Sequence, residues 1–195
     1  MTKQELIDFE TEIKDLFLNG QIKAPIHLSG GNEDALINIF QHIDKKNDWV
    51  FSTHRNHYHA LLKEISPEWL KQEILAGRSM HINNKKYKFI TSSIVCGCLP
   101  IAVGVALANK RKGLKNHAWV FCGDMAGEAG MFHECMKYAS RHDLPISFII
   151  EDNGLSTNTP TQECWGKINS KAEIIRYKYE RIYPHINVGK FVEFK

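Results

Sequence analysis

Several features that would assign a protein to a broad class are missing from this sequence. No run approaches the roughly 20 apolar residues that a membrane helix needs, and the start MTKQELIDFE is too charged for a secretory signal peptide. The net charge of +3 is spread along the chain and forms no basic stripe, which argues against nucleic-acid binding. We therefore expect a cytoplasmic protein that binds neither membranes nor nucleic acids.

The cysteines lack the spacing of a known site. There are five, an odd number, and none belongs to a C-x-x-C pair. Most lie in apolar segments, as buried free thiols do. Cys96-Gly97-Cys98 could form a redox-active pair, but no neighbour suggests a lowered thiol pKa, so packing is the favoured interpretation. Neither a zinc site nor a disulfide framework is expected.

The sequence does contain the pattern of an α/β protein. Apolar residues make up 43% of the 195 residues and charged residues 24%, which is ordinary for a globular domain. The spacing of apolar residues predicts helices over 3–18, 35–43 and 66–76, and a buried helix in the latter part of 92–113. A short strand is predicted at 48–54, and the stretch 78–90, which includes His81, is predicted to be a loop.

Residues 118–153 indicate how the sheet is connected. AWVFCGD, a helix over about 128–142 and PISFIIEDN give a strand, a helix and a second strand, and such a crossover joins parallel strands. Further strands are predicted within 174–184 and 189–195. We predict one domain over residues 1–195, of the α/β class with a doubly wound parallel sheet.

Two polar side chains follow the two strands of this crossover. Asp124 and Asn153 should meet at the carboxyl edge of the sheet, where parallel α/β sheets bind ligands. Their oxygens suit Mg²⁺ or Ca²⁺ rather than zinc, and Mg²⁺ in particular completes its coordination with water and phosphate oxygens. An acid before a helix can also be a simple cap. The paired positions, with small residues following Asp124, favour a site for Mg²⁺ and a diphosphate.

This pattern resembles the thiamine diphosphate motif, which is usually written with G-D-G at its start and N-N at its end. The 29 positions that separate Asp124 from Asn153 are those of the motif. From about His27 to Pro160 the chain resembles the alpha subunit of the thiamine-dependent first component of 2-oxo acid dehydrogenases, and the amino-terminal half of split transketolases. The resemblance implies the thiamine diphosphate-binding fold, with thiamine diphosphate and Mg²⁺ as cofactors.

The resemblance also implies roles for individual residues. Asp124 and Asn153 would hold Mg²⁺ together with the backbone carbonyl of Leu155. His54 and Arg55 stand where the family has a Tyr-Arg pair that grips the diphosphate. The remaining cofactor-binding positions are Ser93 and Val95, whose backbone would meet the aminopyrimidine, and Gly123, Met125 and Ala126 beside the diphosphate.

Three further residues match family positions without such a clear role. His57 and His81 are candidates for a catalytic or substrate-binding role, against the alternative that they are structural histidines. Glu33 matches a family glutamate, although an acid at a helix start needs no function. Met125, Asp152 and His54 depart from the usual motif residues, but none of these changes removes a metal ligand.

The resemblance implies a heteromeric enzyme. In the family, the glutamate that activates the cofactor belongs to a pyrimidine-binding domain, which this chain does not match, so a beta-type subunit should supply it in an α₂β₂ assembly. The expected reaction cleaves or forms a carbon-carbon bond next to the carbonyl of a 2-oxo acid. Ketol transfer between sugars and a degenerate, non-catalytic subunit remain alternatives. An NAD-dependent dehydrogenase is disfavoured because no G-x-G-x-x-G follows an early strand.

Overall fold

The computed structural model describes residues 1–166. Its helices are α1 (Lys3–Leu18), α2 (Glu33–Phe40), α3 (His57–Leu62), α4 (Pro67–Leu75), α5 (Cys98–Arg111), α6 (Asp124–Gly127), α7 (Gly130–Arg141) and α8 (Thr161–Trp165). Its strands are β1 (Trp49–Ser52), β2 (Asn83–Asn84), β3 (Phe89–Thr91), β4 (Ala118–Gly123), β5 (Ile146–Glu151), β6 (Leu155–Ser156) and β7 (Thr159–Pro160). The strands predicted within 174–184 and 189–195 lie outside the described residues.

The main sheet has the strand order β2-β3-β1-β4-β5. Strand β1 pairs in parallel with β3 and β4, and β4 pairs in parallel with β5. Strand β2 runs antiparallel to β3 at one edge, and β6 and β7 form a separate short hairpin. The predicted α/β class is confirmed, and the predicted parallel sheet is confirmed except for the antiparallel edge strand β2.

Helices cover both faces of the sheet, because alternate residues of each strand point to opposite sides. On one face, Val50 and Phe121 pack into a core that includes buried residues of α1, α2, α3 and α4. On the other, Phe51 and Val120 pack with α5 and α7. Neither core covers the carboxyl ends of β1, β4 and β5, so a site can form there between the two helical layers.

Local sequence signals set the ends of two predicted helices. Thr2 and Glu5 form a capping box at the start of α1, which spans the residues predicted for it. The Ser66 hydroxyl accepts a hydrogen bond from the amide of Trp69 at the start of α4, where Pro67 occupies the first helical position. The chain leaves α4 through Gly77, whose φ of +80° suits glycine.

Other predictions of secondary structure were wrong or incomplete. Helix α2 starts at Glu33 and ends at Phe40, so the predicted range of 35–43 was displaced toward the carboxyl terminus. Helix α3 was missed because all its residues are buried and show no polar face. The region 78–90, predicted to be a loop, contains β2 and the start of β3, which are too short for a period to appear.

Helix α5 is buried on one side only. Ala102 and Ala106 pack against the sheet, while Ile101 is 49% exposed and the small residues Gly104 and Ala108 lie on the exposed face. The helix predicted to be buried is therefore buried on the side that faces the sheet. Within residues 1–166, no helix is both long and apolar enough to cross a membrane.

Candidate functional site

A cavity of about 540 Å³ lies at the carboxyl edge of the sheet. Its position follows from the register of β4 and β5, which pairs Gly123 with Glu151 and so brings the next residues of both strands to the same edge. Nine of the residues predicted to bind cofactor or metal line this cavity: His54, Arg55, Val95, Gly123, Asp124, Met125, Ala126, Asn153 and Leu155. Ser93, His57 and His81 do not line it.

Asp124 begins the short helix α6 directly after β4. Its residue is 8% exposed, and its Oδ2 accepts a hydrogen bond from the Thr161 hydroxyl. The indole Nε1 of Trp165 donates to the sulfur of Met125 over 3.0 Å. The turn after β4 is therefore contacted by two residues of α8, neither of which was predicted to belong to the site.

Asn153 lies in a tight turn after β5. Its Oδ1 accepts a hydrogen bond from the amide of Leu155 over 2.9 Å, and Asp152 Oδ1 accepts one from the amide of Gly154 over the same distance. Gly154 has a φ of +71°, a conformation that favours glycine. The Asn153 side chain is exposed, and a carboxamide oxygen has a second lone pair with which it could bind a cation.

The half-buried residues His54 and Arg55 line the cavity beyond β1. The Nε of Arg55 donates to the Leu28 carbonyl over 3.1 Å, and no hydrogen bond within residues 1–166 uses its terminal nitrogens. Burial lowers the pKa of His54 below its ordinary value, a hydrogen bond with the Ser93 backbone offsets part of this, and the nearby Arg55 charge lowers the pKa again. His54 is therefore neutral at pH 7, and Arg55 supplies the positive charge of this wall.

A further cavity wall comes from the loop that precedes α2, which was not predicted to belong to the site. His27, Ser29 and Asn32 line the cavity. Within residues 1–166, His27 Nδ1, Ser29 Oγ and Asn32 Oδ1 are buried and have no hydrogen-bond partner. Unpaired buried polar atoms are costly, so their grouping beside one cavity fits a wall that is completed by a polar ligand.

Asn32 is held by a set of buried polar contacts. Its Nδ2 donates to Glu151 Oε1 over 2.9 Å, although Asn32 immediately precedes α2, at the position where such a side chain commonly caps the helix. Glu151 Oε2 lies 3.3 Å from Nε2 of the fully buried His59, whose Nδ1 is hydrogen-bonded to Ser52 Oγ at 2.7 Å. These contacts connect β1, α3 and β5 to the cavity wall.

The two histidines predicted to be catalytic lie in different surroundings. His57 is fully buried, with Nδ1 at 3.2 Å from Glu10 Oε1 and Nε2 at 2.9 Å from Ser79 Oγ. His81 is exposed, and its Nε2 is hydrogen-bonded to Ser93 Oγ at 2.9 Å. Any effect of His57 on a ligand in the cavity would have to pass through its neighbours.

Glu33 and the free cysteines Cys96 and Cys98 are buried. Glu33 is buried and accepts hydrogen bonds from the Tyr58 hydroxyl and the Gly31 amide. Cys98 donates to the Ser52 carbonyl, and burial raises the pKa of its thiol to about 11. Burial also raises the pKa of Cys96, so neither thiol has the lowered pKa of a redox-active cysteine.

The available donors suit a hard cation. In the part of the chain that the structure describes, no three His, Cys, Asp or Glu side chains form a metal-binding group. A cation bound to Asp124 would therefore depend on amide and carbonyl oxygens and on oxygens from water or phosphate, which is the ligand set that Mg²⁺ accepts.

Comparison with known proteins gives matches over most of this chain. Residues 1–172 match the family model described as the dehydrogenase E1 component. The alpha subunit of acetoin:2,6-dichlorophenolindophenol oxidoreductase is 33% identical over 162 residues in Cupriavidus necator, which is 78% of this chain and 48% of that protein. In Bacillus subtilis it is 33% identical over 166 residues, or 80% and 50%.

A third relative is the pyruvate dehydrogenase E1 component subunit alpha of Rickettsia typhi. It is 32% identical over 161 residues, which is 77% of this chain and 49% of that subunit. The chain thus spans about half the length of the curated relatives that it matches.

Proposed function

This chain belongs to the dehydrogenase E1 component family, and we propose that it is the diphosphate-binding, alpha-type subunit of a heteromeric thiamine diphosphate-dependent enzyme. The observation that carries the proposal is the meeting of Asp124 and Asn153 on one cavity, at the ends of two paired parallel strands. Arg55 lines the same cavity, so oxygen ligands for a cation and a guanidinium for phosphate lie together.

In this proposal, Mg²⁺ is held by the Asp124 carboxylate, the Asn153 carboxamide oxygen and the backbone carbonyl of Leu155. The Arg55 guanidinium binds the diphosphate, since its terminal nitrogens are unused by other residues within 1–166. The neutral His54 ring lies beside it as an uncharged hydrogen-bonding group. Gly123, Met125 and Ala126 form the wall next to the diphosphate, and the open space at Gly123 leaves the backbone accessible.

Thiamine diphosphate, when bound, would supply a nucleophilic carbon and an electron sink for carbon-carbon chemistry next to a carbonyl. The backbone at Ser93 and Val95 orients the aminopyrimidine. His81 is the candidate proton donor or acceptor toward the substrate, and its hydrogen bond to Ser93 restrains the imidazole. His57 would affect the reaction indirectly, because it contacts Ser79, two residues before His81.

A beta-type partner is part of the proposal. It would contribute the glutamate that activates the cofactor, in an α₂β₂ assembly. Exposed apolar side chains on α5 and α7, including Ile101, Met131 and Tyr138, support the presence of a partner surface. The isolated chain is then inactive, and activity requires both subunits.

The proposed substrates are 2-oxo acids or related hydroxyketones. Two relatives are named as acetoin oxidoreductase subunits and one as a pyruvate dehydrogenase subunit. These names favour an oxidative reaction over ketol transfer between sugars. Mg²⁺ as the cation and a cytoplasmic location belong to the proposal as well.

Calorimetric titration with thiamine diphosphate and Mg²⁺ tests the binding site. We expect the wild-type chain to bind and the Asp124→Ala variant to lose binding, because the only acidic ligand proposed for the cation is removed. Asp15→Ala, which changes an exposed carboxylate on α1, is the matched control and should bind as the wild type does.

Reconstitution with the beta-type chain of the same organism tests the activity. Oxidation of pyruvate or acetoin is followed with an artificial electron acceptor, and Asp124→Ala should abolish it. Unchanged turnover in the Asp124→Ala enzyme would remove this site from the mechanism. Cofactor binding without any turnover would favour a non-catalytic subunit.

A further inference from the structure

The segment from β6 to α8 contacts both loops that carry the proposed metal ligands. The Thr161 hydroxyl donates to Asp124 Oδ2, and the Thr161 amide donates to the Gly154 carbonyl over 3.0 Å. Gly154 directly follows Asn153. One residue thus bridges the turn after β4 and the turn after β5.

The hydrogen bond from Thr161 leaves one oxygen of the carboxylate available. No hydrogen bond within residues 1–166 uses Asp124 Oδ1. A carboxylate that is held through one oxygen presents the other in a defined direction, and a ligand that is oriented before the cation arrives binds it more tightly. The Asp124 side chain is nearly buried, so few other groups could hold it.

A second contact involves the residue at which this chain departs from the thiamine motif. Met125 replaces the last glycine of G-D-G, and its sulfur accepts the Trp165 indole N–H over 3.0 Å. Met125 and Trp165 therefore form a contact that glycine at position 125 could not make. The two contacts attach α8 to the Asp124–Met125 turn at successive residues.

We propose that Thr161 is a positioning residue, which orients the Asp124 carboxylate for the cation, and that the Trp165 to Met125 contact keeps α8 in place for this role. The inference rests on the proposed function, since it concerns the same cation. It adds a residue, Thr161, and a pairing between Met125 and Trp165 that the motif does not contain.

The test compares Thr161→Val, which keeps the shape of the side chain and removes the hydroxyl, with Thr161→Ser, which retains the hydroxyl. Thr159→Val is the matched control, because Thr159 is exposed and lies in β7, two residues before Thr161. For each full-length variant, reconstituted with the beta-type chain, calorimetry gives the affinity for Mg²⁺ in the presence of saturating thiamine diphosphate. Thermal unfolding reports on folding. Acrylamide quenching of tryptophan fluorescence reports on the position of α8, because Trp165, at 55% exposure, is the exposed one of the four tryptophans.

Loss of the hydroxyl should weaken Mg²⁺ binding by about 10- to 100-fold, the usual effect of removing a group that orients a metal ligand. Thr161→Ser and Thr159→Val should bind within about twofold of the wild type, and quenching should increase in Thr161→Val alone. Wild-type affinity in Thr161→Val, or equal losses in the valine and serine variants, would overturn the inference and leave the proposed function standing. A folded wild-type α₂β₂ enzyme that binds no cofactor would overturn both.

Discussion

Replacing His59 with phenylalanine should destabilise the fold measurably, although the aromatic ring is retained. The His59 ring stacks on Phe121 with centroids 4.3 Å apart, and phenylalanine can keep this contact. The substitution removes both ring nitrogens. It leaves the fully buried Ser52 hydroxyl without its 2.7 Å partner and Glu151 without its 3.3 Å contact.

The two losses can be estimated separately. An unsatisfied buried hydroxyl costs about 1 to 3 kcal/mol. The loss at Glu151 adds about 1 kcal/mol, because this side chain is 21% exposed and water can solvate part of it. We therefore expect the free energy of unfolding to fall by about 2 to 4 kcal/mol. In a chain of this size, that lowers the unfolding temperature by roughly 5 to 15 °C.

Urea unfolding followed by circular dichroism measures this change. His133→Phe, on the exposed side of α7, is the control and should shift the free energy of unfolding by less than about 0.5 kcal/mol. Combining His59→Phe with Glu151→Gln should cost up to about 1 kcal/mol less than the sum of the single changes, because the uncharged amide tolerates the vacated contact better. A His59→Phe variant as stable as the wild type would refute the reasoning.

Two further predictions concern titration and thiol reactivity. Burial lowers the pKa of His27 below its ordinary value of 6.5, and the nearby His54 and Arg55 lower it further. As the pH falls, the unfolded chain therefore binds the proton before the folded chain does, and the free energy of unfolding should decrease below about pH 6.5. Between about pH 7.5 and pH 5.5, the urea midpoint should change less in a His27→Gln and His54→Gln double variant than in the wild type. An equal change in both proteins would show that these histidines do not cause the pH dependence. In the folded isolated chain, a thiol reagent should modify the exposed Cys164 and leave the four buried cysteines unmodified. One of the buried cysteines is Cys122, and burial raises the pKa of its thiol to about 12. If peptide mapping found Cys96 or Cys98 modified as fast as Cys164, the segment that carries them would have to unfold locally.

The loop before α2 illustrates what a pattern of residues cannot reveal. Asn32 has the residue type and position of a helix cap, and nothing in HLSGGNEDA indicates that its side chain turns away from the helix to Glu151, 119 positions later in the chain. The same holds for Thr161, whose contact with Asp124 spans 37 positions. Such contacts depend on how strands and loops are brought together, which local composition does not encode.

The sequence by itself determined the α/β class, the parallel crossover and the position of Asp124 and Asn153 at two strand ends. Apolar periodicity is a local property of the sequence, and the direction of the two strands follows from the single helical connection between them. The tertiary structure alone decided that His57 is enclosed between Glu10 and Ser79 while His81 remains exposed, because the two environments are built by elements distant in the chain. It also decided which oxygen of Asp124 accepts a hydrogen bond. A hydrogen bond requires its donor and acceptor to be in contact, and the number of residues between them restricts their distance only when the connecting chain is short.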